Sequence, residues 1–201
     1  MKQHELEFWF GFASPYAYVS AMRIEEWVSA VGITVRWMPF LLDPVFKAQG
    51  WETSPFNLYP MKGRYMWRDV ERLCSRGRLP FVQPEKFPQN SLLATRLAVA
   101  GGEQEWLIAF CKRLLHEEFG RGKDISGRPA IESILGEFAD DASLWLERAQ
   151  SPETKALLHE RGAEAKRKHI FGSPSFITSD DELFWGDDRL EQAIEWILKR
   201  R

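Results

Sequence analysis

Ser14-Pro15-Tyr16 stands where an apolar alternation ends and a helical pattern begins. Serine is a good N-cap and proline a good first helical residue, so the Ser14 hydroxyl is expected at the positive end of a helix dipole. Backbone N–H groups without carbonyl partners lie beside it there. Such a place favours an anion, a thiolate included. Ser-Pro is also an ordinary way to start a helix. Disulfide exchange would need a nucleophilic cysteine at this position and a resolving cysteine three residues on. The chain has Ser14 and Ala17 instead, which excludes that chemistry. No histidine adjoins Ser14 in sequence, so an acyl-transfer nucleophile is a poor reading. What remains to the hydroxyl is to donate a hydrogen bond, and its natural acceptor is a sulfur anion brought by a ligand.

Two further segments belong with it. Phe171-Gly172-Ser173-Pro174-Ser175-Phe176 leads into a short strand. Leu183-Phe184-Trp185-Gly186-Asp187-Asp188-Arg189-Leu190 reads as a strand, a tight turn and an acidic helix start.

The elements that must position these residues follow from periodicity. Leu6, Phe8, Phe10 and Phe12 alternate over a first strand, Glu5–Phe12. A helix is expected from Pro15 to about Val31, stopped by Gly32. Ile33, Val35 and Trp37 mark a second strand that Pro39 ends. Residues 43–62 read as loop-rich, with Gly50, Pro55 and Pro60. Helical periods then cover Gly63–Arg76, a segment from an Asn90 or Ser91 cap to Ala100, Glu103–Phe119, Pro129–Phe138, Asp141–Ala149 and Pro152–Arg167. The order is strand–helix–strand at the front and strand–strand–helix at the back. The expectation is therefore an α/β chain: a thioredoxin-like domain made of residues 1–43 and 168–201, split by a large all-helical insertion, residues 44–167.

Composition narrows the classes. A chain of 201 residues can bury a substantial core without staples. A formal charge of −2 gives no reason to expect a nucleic acid or an anionic membrane as partner. The two cysteines, Cys74 and Cys111, sit in amphipathic segments and read as buried free thiols, which suits a reducing compartment. Met1–Glu5 lacks the basic-then-apolar pattern of an export signal, so a cytoplasmic location is expected. His4, His116, His159 and His169 lack metal-ligand spacing, and no metal is expected. Nine Trp and fourteen Phe suit core packing, with a few free to wall a pocket for an aromatic ligand.

Together, Phe10-Gly11-Phe12-Ala13-Ser14-Pro15-Tyr16, Asn90-Ser91-Leu92-Leu93-Ala94, Phe171-Gly172-Ser173-Pro174 and Phe184–Leu190 resemble the 2-hydroxychromene-2-carboxylate isomerase family. That family lies in the group holding kappa-class glutathione transferases and DsbA-like oxidoreductases. The resemblance implies the DsbA/kappa-type fold, a homodimer, glutathione as cofactor and a small aromatic acid as substrate in aromatic-compound catabolism. It makes Ser14 the catalytic residue that steadies the glutathione thiolate. It makes Ser173-Pro174 a cis-proline turn whose Ser173 N–H and C=O are free to pair with the peptide. It assigns Trp185, Gly186, Asp187 and Asp188 to the γ-glutamyl end, with Asp188 best placed for the ammonium; plain acidic capping of the last helix is the other reading of these acids. Lys47, Asn57, Lys62 and, more weakly, Asn90 match substrate-contacting positions, although a lysine is also an ordinary surface residue and Asn90 an ordinary cap. Two positions depart from the pattern: Gly11 replaces an aspartate, and Asp43 stands where glycine is common. The competing readings are a kappa-like transferase or peroxidase that consumes glutathione, and a non-catalytic DsbA-like peptide-binding module.

Overall fold

The alternating apolar residues at the start form β1 (Glu5–Phe10), an inner strand of a four-stranded sheet. The computed structural model describes residues 4–200; Met1–Gln3, part of the polar start on which the absence of an export signal was expected, and Arg201 lie outside the described residues. α1 (Pro15–Ser29) leads to β2 (Thr34–Pro39), which runs parallel to β1. At the other end of the chain, β3 (Ser175–Thr178) pairs antiparallel with β1, and β4 (Leu183–Trp185) antiparallel with β3. A 3₁₀ turn, Asp187–Arg189, then enters α10 (Leu190–Lys199). The sheet order β2-β1-β3-β4 is that of a thioredoxin fold.

Strand pleating sends alternate side chains to opposite faces, and both faces of β1 are covered. Phe8 lies opposite Trp37 of β2 and Phe176 of β3, with ring centroids 5.0 and 5.6 Å away. These rings join Leu6, Phe10 and α1 residues such as Val19 and Ile24 in the main core. On the opposite face Trp9 packs with Met38, Phe40, Ile177 and Ala165 in a second, smaller core.

Between β2 and β3 the described residues are helical and looped, without a strand. α2 (Leu42–Ala48), α3 (Pro55–Leu58) and α4 (Pro60–Arg76) come first. α5 (Leu92–Gly101) and α6 (Leu107–Leu115) follow, the latter continued by a π-helical turn, His116–Gly120. α7 (Arg128–Leu135), α8 (Ala142–Gln150) and α9 (Pro152–Arg167) complete the set. Leu107, Phe110 and Leu114 of α6 share the main core with the sheet, so the helical stretch packs on the α/β part through one continuous apolar interior. Among the described residues no helix is long and apolar enough to cross a membrane.

Several boundaries differ from the sequence expectation. β1 stops at Phe10 rather than Phe12, because Ser14 N–H donates to Gly11 C=O at 3.0 Å and closes a turn before α1. Residues 43–62 are not mainly loop: Pro55 and Pro60 occupy helical first turns, and Ser54 caps α3 through Phe56 N–H at 3.3 Å. The helix expected from Glu103 begins only at Leu107 and loosens into the π turn before Phe119.

Candidate functional site

Ser14 caps α1 as its sequence demands. Its backbone is extended, and its Oγ accepts from Ala17 N–H at 3.2 Å. The hydroxyl proton goes elsewhere: it is donated to the Ser173 carbonyl at 2.9 Å. The Ser173 side chain returns the connection, its Oγ accepting from Gly11 N–H at 2.9 Å. The Ser173–Pro174 peptide is cis, as the resemblance implied. Pro174 C=O in turn accepts from Gly186 N–H at 2.9 Å, which ties the last turn to the same loop. Three stretches of the chain thus meet at one point: Gly11–Ser14, Ser173–Pro174 and Gly186. Ser14 itself is only 4% exposed. The Ser173 carbonyl was expected free; instead it is engaged by Ser14, since a carbonyl beside a buried hydroxyl is its nearest acceptor.

The rim is aromatic. Trp185 and Phe171 are 51% and 44% exposed, with centroids 4.8 Å apart. Trp185 lies directly on Gly172, where an added Cβ would overlap the indole nitrogen. Gly186 has φ +108, a region that L side chains rarely adopt, and a Cβ there would sit 2.6 Å from an Asp188 carboxylate oxygen. Glycine therefore lets the chain turn from β4 into the acidic segment.

The two acids of that segment separate. Asp188 projects outward, its side chain 70% exposed, with Arg189 Nη2 3.4 Å away. Asp187 turns inward and is not available as an open ligand group, a correction of the sequence reading. Its Oδ1 accepts from Ser20 Oγ and from Arg23 Nη2, each at 2.8 Å. Burial pushes its carboxyl above the usual range, opposed by Arg23 and Ser20.

The four substrate positions fare differently. α2 borders the loop at both of its ends. Its Leu42 side chain would meet a Cβ on Gly11 at 3.2 Å, and Gln49 Nε2 donates to Phe171 C=O at 3.1 Å. Lys47 is exposed on this helix. Lys62 lies over the Tyr59 ring, 4.8 Å from its centroid, in the first turn of α4. Asn57 makes a local bond, its Nδ2 donating to Phe87 C=O at 3.1 Å. Asn90 is also a local cap, its Oδ1 accepting from Leu92 N–H at 3.0 Å. Both side chains are exposed beside these local bonds.

Tyr16 and Asp69 escaped the sequence reading. Tyr16 Oη donates to Asp69 Oδ2 at 3.0 Å, joining the start of α1 to α4. Burial raises the phenol's pKa, and Asp69, Tyr65 and Asp188 add to the rise, so these groups share one neighbourhood. Lys62, Tyr65 and Asp69 follow the i, i+3, i+7 spacing of one helix face, the only signal that α4 turns a polar face to this site. Cys74 and Cys111 are buried free thiols, and burial pushes the Cys74 thiol up to about 12, so neither is a nucleophile at neutral pH.

The family described as DSBA-like thioredoxin domain matches residues 5–197. The chain is similar to the 2-hydroxychromene-2-carboxylate isomerase of Sphingobium xenophagum, 24% identical over 194 residues, 96% of this chain and 97% of the relative. It is also similar to glutathione S-transferase kappa 1 of Homo sapiens, 26% identical over 199 residues, 92% of this chain and 87% of the relative. A solved 2-hydroxychromene-2-carboxylate isomerase superposes with a TM-score of 0.86 at 22% identity, covering 98% of this chain and 95% of that one, a likeness of fold. With a capped helix start facing a cis-proline loop, and a family match over nearly its whole length, the chain belongs to the DSBA-like thioredoxin domain family.

Proposed function

We propose that this chain is a glutathione-dependent cis–trans isomerase of aromatic-derived acids of the 2-hydroxychromene-2-carboxylate kind. The observation that supports it most is the Ser14 hydroxyl, held at the start of α1 and 2.9 Å from the carbonyl before the cis-proline. The groups around it fit the cofactor. A hydroxyl donor and a helix N-terminus suit a thiolate. The Ser173 N–H, and its carbonyl once Ser14 releases it, suit the strand-like edge of a peptide. The exposed Asp188 carboxylate suits an ammonium, and Trp185 and Phe171 give apolar cover.

When bound, glutathione supplies a sulfur nucleophile that adds to an unsaturated carbon and is released again after rotation about the former double bond. The protein's part is to keep that sulfur ionised and to hold both partners. A free thiol of pKa ~8.5 is only a few per cent ionised at neutral pH. Lowering the pKa by about two units takes roughly 2.7 kcal/mol. One hydroxyl hydrogen bond to a charged acceptor contributes ~1.5–3 kcal/mol, and the helix terminus adds ~0.3–1 kcal/mol. Ser14 keeps its own proton throughout. Lys47, on the helix bordering the loop, holds the substrate carboxylate, with Lys62 as a second cation and the Trp185–Phe171 pair against the ring.

Product formed per glutathione supplied tests the proposal. An isomerase turns over many times on trace glutathione. A kappa-like transferase stops when the glutathione is spent. A peptide-binding module gives no turnover, and its ligand affinity ignores Ser14→Ala.

A further inference from the structure

Asp187 is buried, yet its charge is only half met. Oδ1 carries both hydrogen bonds, from Ser20 and Arg23, while Oδ2 is buried with no partner among the described residues. Arg23 Nε is in the same condition, although the guanidinium also lies 5.7 Å from the Trp27 ring centroid. A buried ion pair with loose ends is a weak source of stability, because desolvation offsets much of the attraction. Its geometry is more informative. Ser20 and Arg23 sit on α1, the helix that Ser14 begins, ~9 and ~13 Å along its axis from that residue at ~1.5 Å per residue. Asp187 sits between Gly186, hydrogen-bonded to the Pro174 carbonyl, and the outward-facing Asp188. One helix therefore holds both the sulfur end and the amino-acid end of the site.

We propose that Ser20 and Arg23 are positioning residues which, through Asp187, fix the 186–188 turn at a set separation from Ser14 and so select thiols that carry a free α-amino-acid end. This rests on the glutathione reading of the site. Asp187 then acts as the anchor of the turn rather than as a ligand group, and Asp188 with the turn's N–H groups meets the ligand.

The test compares wild type with Arg23→Met, Arg23→Lys and Ser20→Ala by calorimetric titration of glutathione and by thiolate absorbance across pH. Arg23→Met is expected to weaken glutathione about tenfold and Ser20→Ala about threefold, with the pKa of the bound thiol unmoved. Arg23→Lys restores most of the affinity. Amide hydrogen exchange at residues 187–189, measured without ligand, is expected to quicken in Arg23→Met. Unchanged affinity in folded Arg23→Met, or in Ser20→Ala should the first variant fail to fold, overturns the proposal. So does a loss of affinity accompanied by an equal rise in the bound thiol's pKa, which would mean that the whole helix start had moved. Should wild type bind no glutathione, the functional reading falls, and unaltered exchange at 187–189 in either variant would separately overturn the anchoring.

Discussion

Ser14 Oγ donates to the Ser173 carbonyl at 2.9 Å, and a hydroxyl has a single proton to give. A sulfur anion can receive that proton only if the Ser173 bond opens. The carbonyl would then need a new donor, which the peptide N–H of glutathione would supply under the proposed function. On that proposal, thiols with an adjacent amide are expected to bind better than simple thiols.

This exchange makes Ser14→Ala diagnostic. For glutathione above neutral pH the variant is expected to bind about 10- to 100-fold more weakly, with the bound thiol's pKa raised by about one to two units. For S-methylglutathione, whose sulfur carries no charge, wild type gains nothing at sulfur, and the Ser14 proton can stay on the Ser173 carbonyl. The variant should bind that thioether as well as wild type or better. An equal loss for both ligands would show that Ser14 acts only as a cap.

Lys47 and Asn57 separate a contact from a brace. Lys47 is exposed on α2, whereas Asn57 is committed to the Phe87 carbonyl. Lys47→Gln should raise KM for a carboxylate substrate about three- to fivefold, the scale of one solvated charge pair, with glutathione affinity unchanged. Asn57→Ala should cost about 1 kcal/mol of stability and leave KM alone. Steady-state kinetics beside urea denaturation decides it, and the reverse pattern would exchange the two roles.

The parts of the site written locally were legible in sequence. Ser14-Pro15 announces a cap and a first turn by residue type alone, and Ser173-Pro174 stands out by family wording. The short helix α3 and the first turn of α4 were hidden because Pro55 and Pro60 read equally as loop punctuation or as first-turn residues. The fate of Asp187 was illegible for a stronger reason: its partners Ser20 and Arg23 lie 167 and 164 residues away, and nothing local distinguishes an anchored acid from an exposed neighbour. Tyr16 and Asp69 meet in the same long-range way.

Glu118 makes a stability prediction outside the site. It lies in the π turn after α6, fully buried, with neither carboxylate oxygen hydrogen-bonded among the described residues. Burial raises its pKa well above the ordinary value, and Asp124 adds to the rise. An acid whose folded pKa is raised stabilises the fold fully below its unfolded value of ~4.3, and that contribution fades as pH climbs towards the folded value. Glu118→Gln removes the titration. Its stability relative to wild type should improve between pH 5 and pH 8, by up to ~1.4 kcal/mol per pH unit until the folded pKa is passed. A difference between the two proteins that urea titration finds constant over this range would contradict the assignment.

Gly172 tests the aromatic rim without touching the sulfur site. The Trp185 indole rests on this glycine and pairs with Phe171. Gly172→Ala must displace the indole, and Trp185 is exposed enough to swing away with little loss of stability. The expected result is weaker binding of both glutathione and aromatic acid, with the bound thiol's pKa kept, because the Ser14–Ser173 contact is left in place. Trp185→Ala should give the same phenotype. Combined in one chain, the two changes should cost little more than either alone, since the second removes a ring that the first has already moved. Fully additive losses in the double variant would mean that Gly172 acts by a route other than the indole.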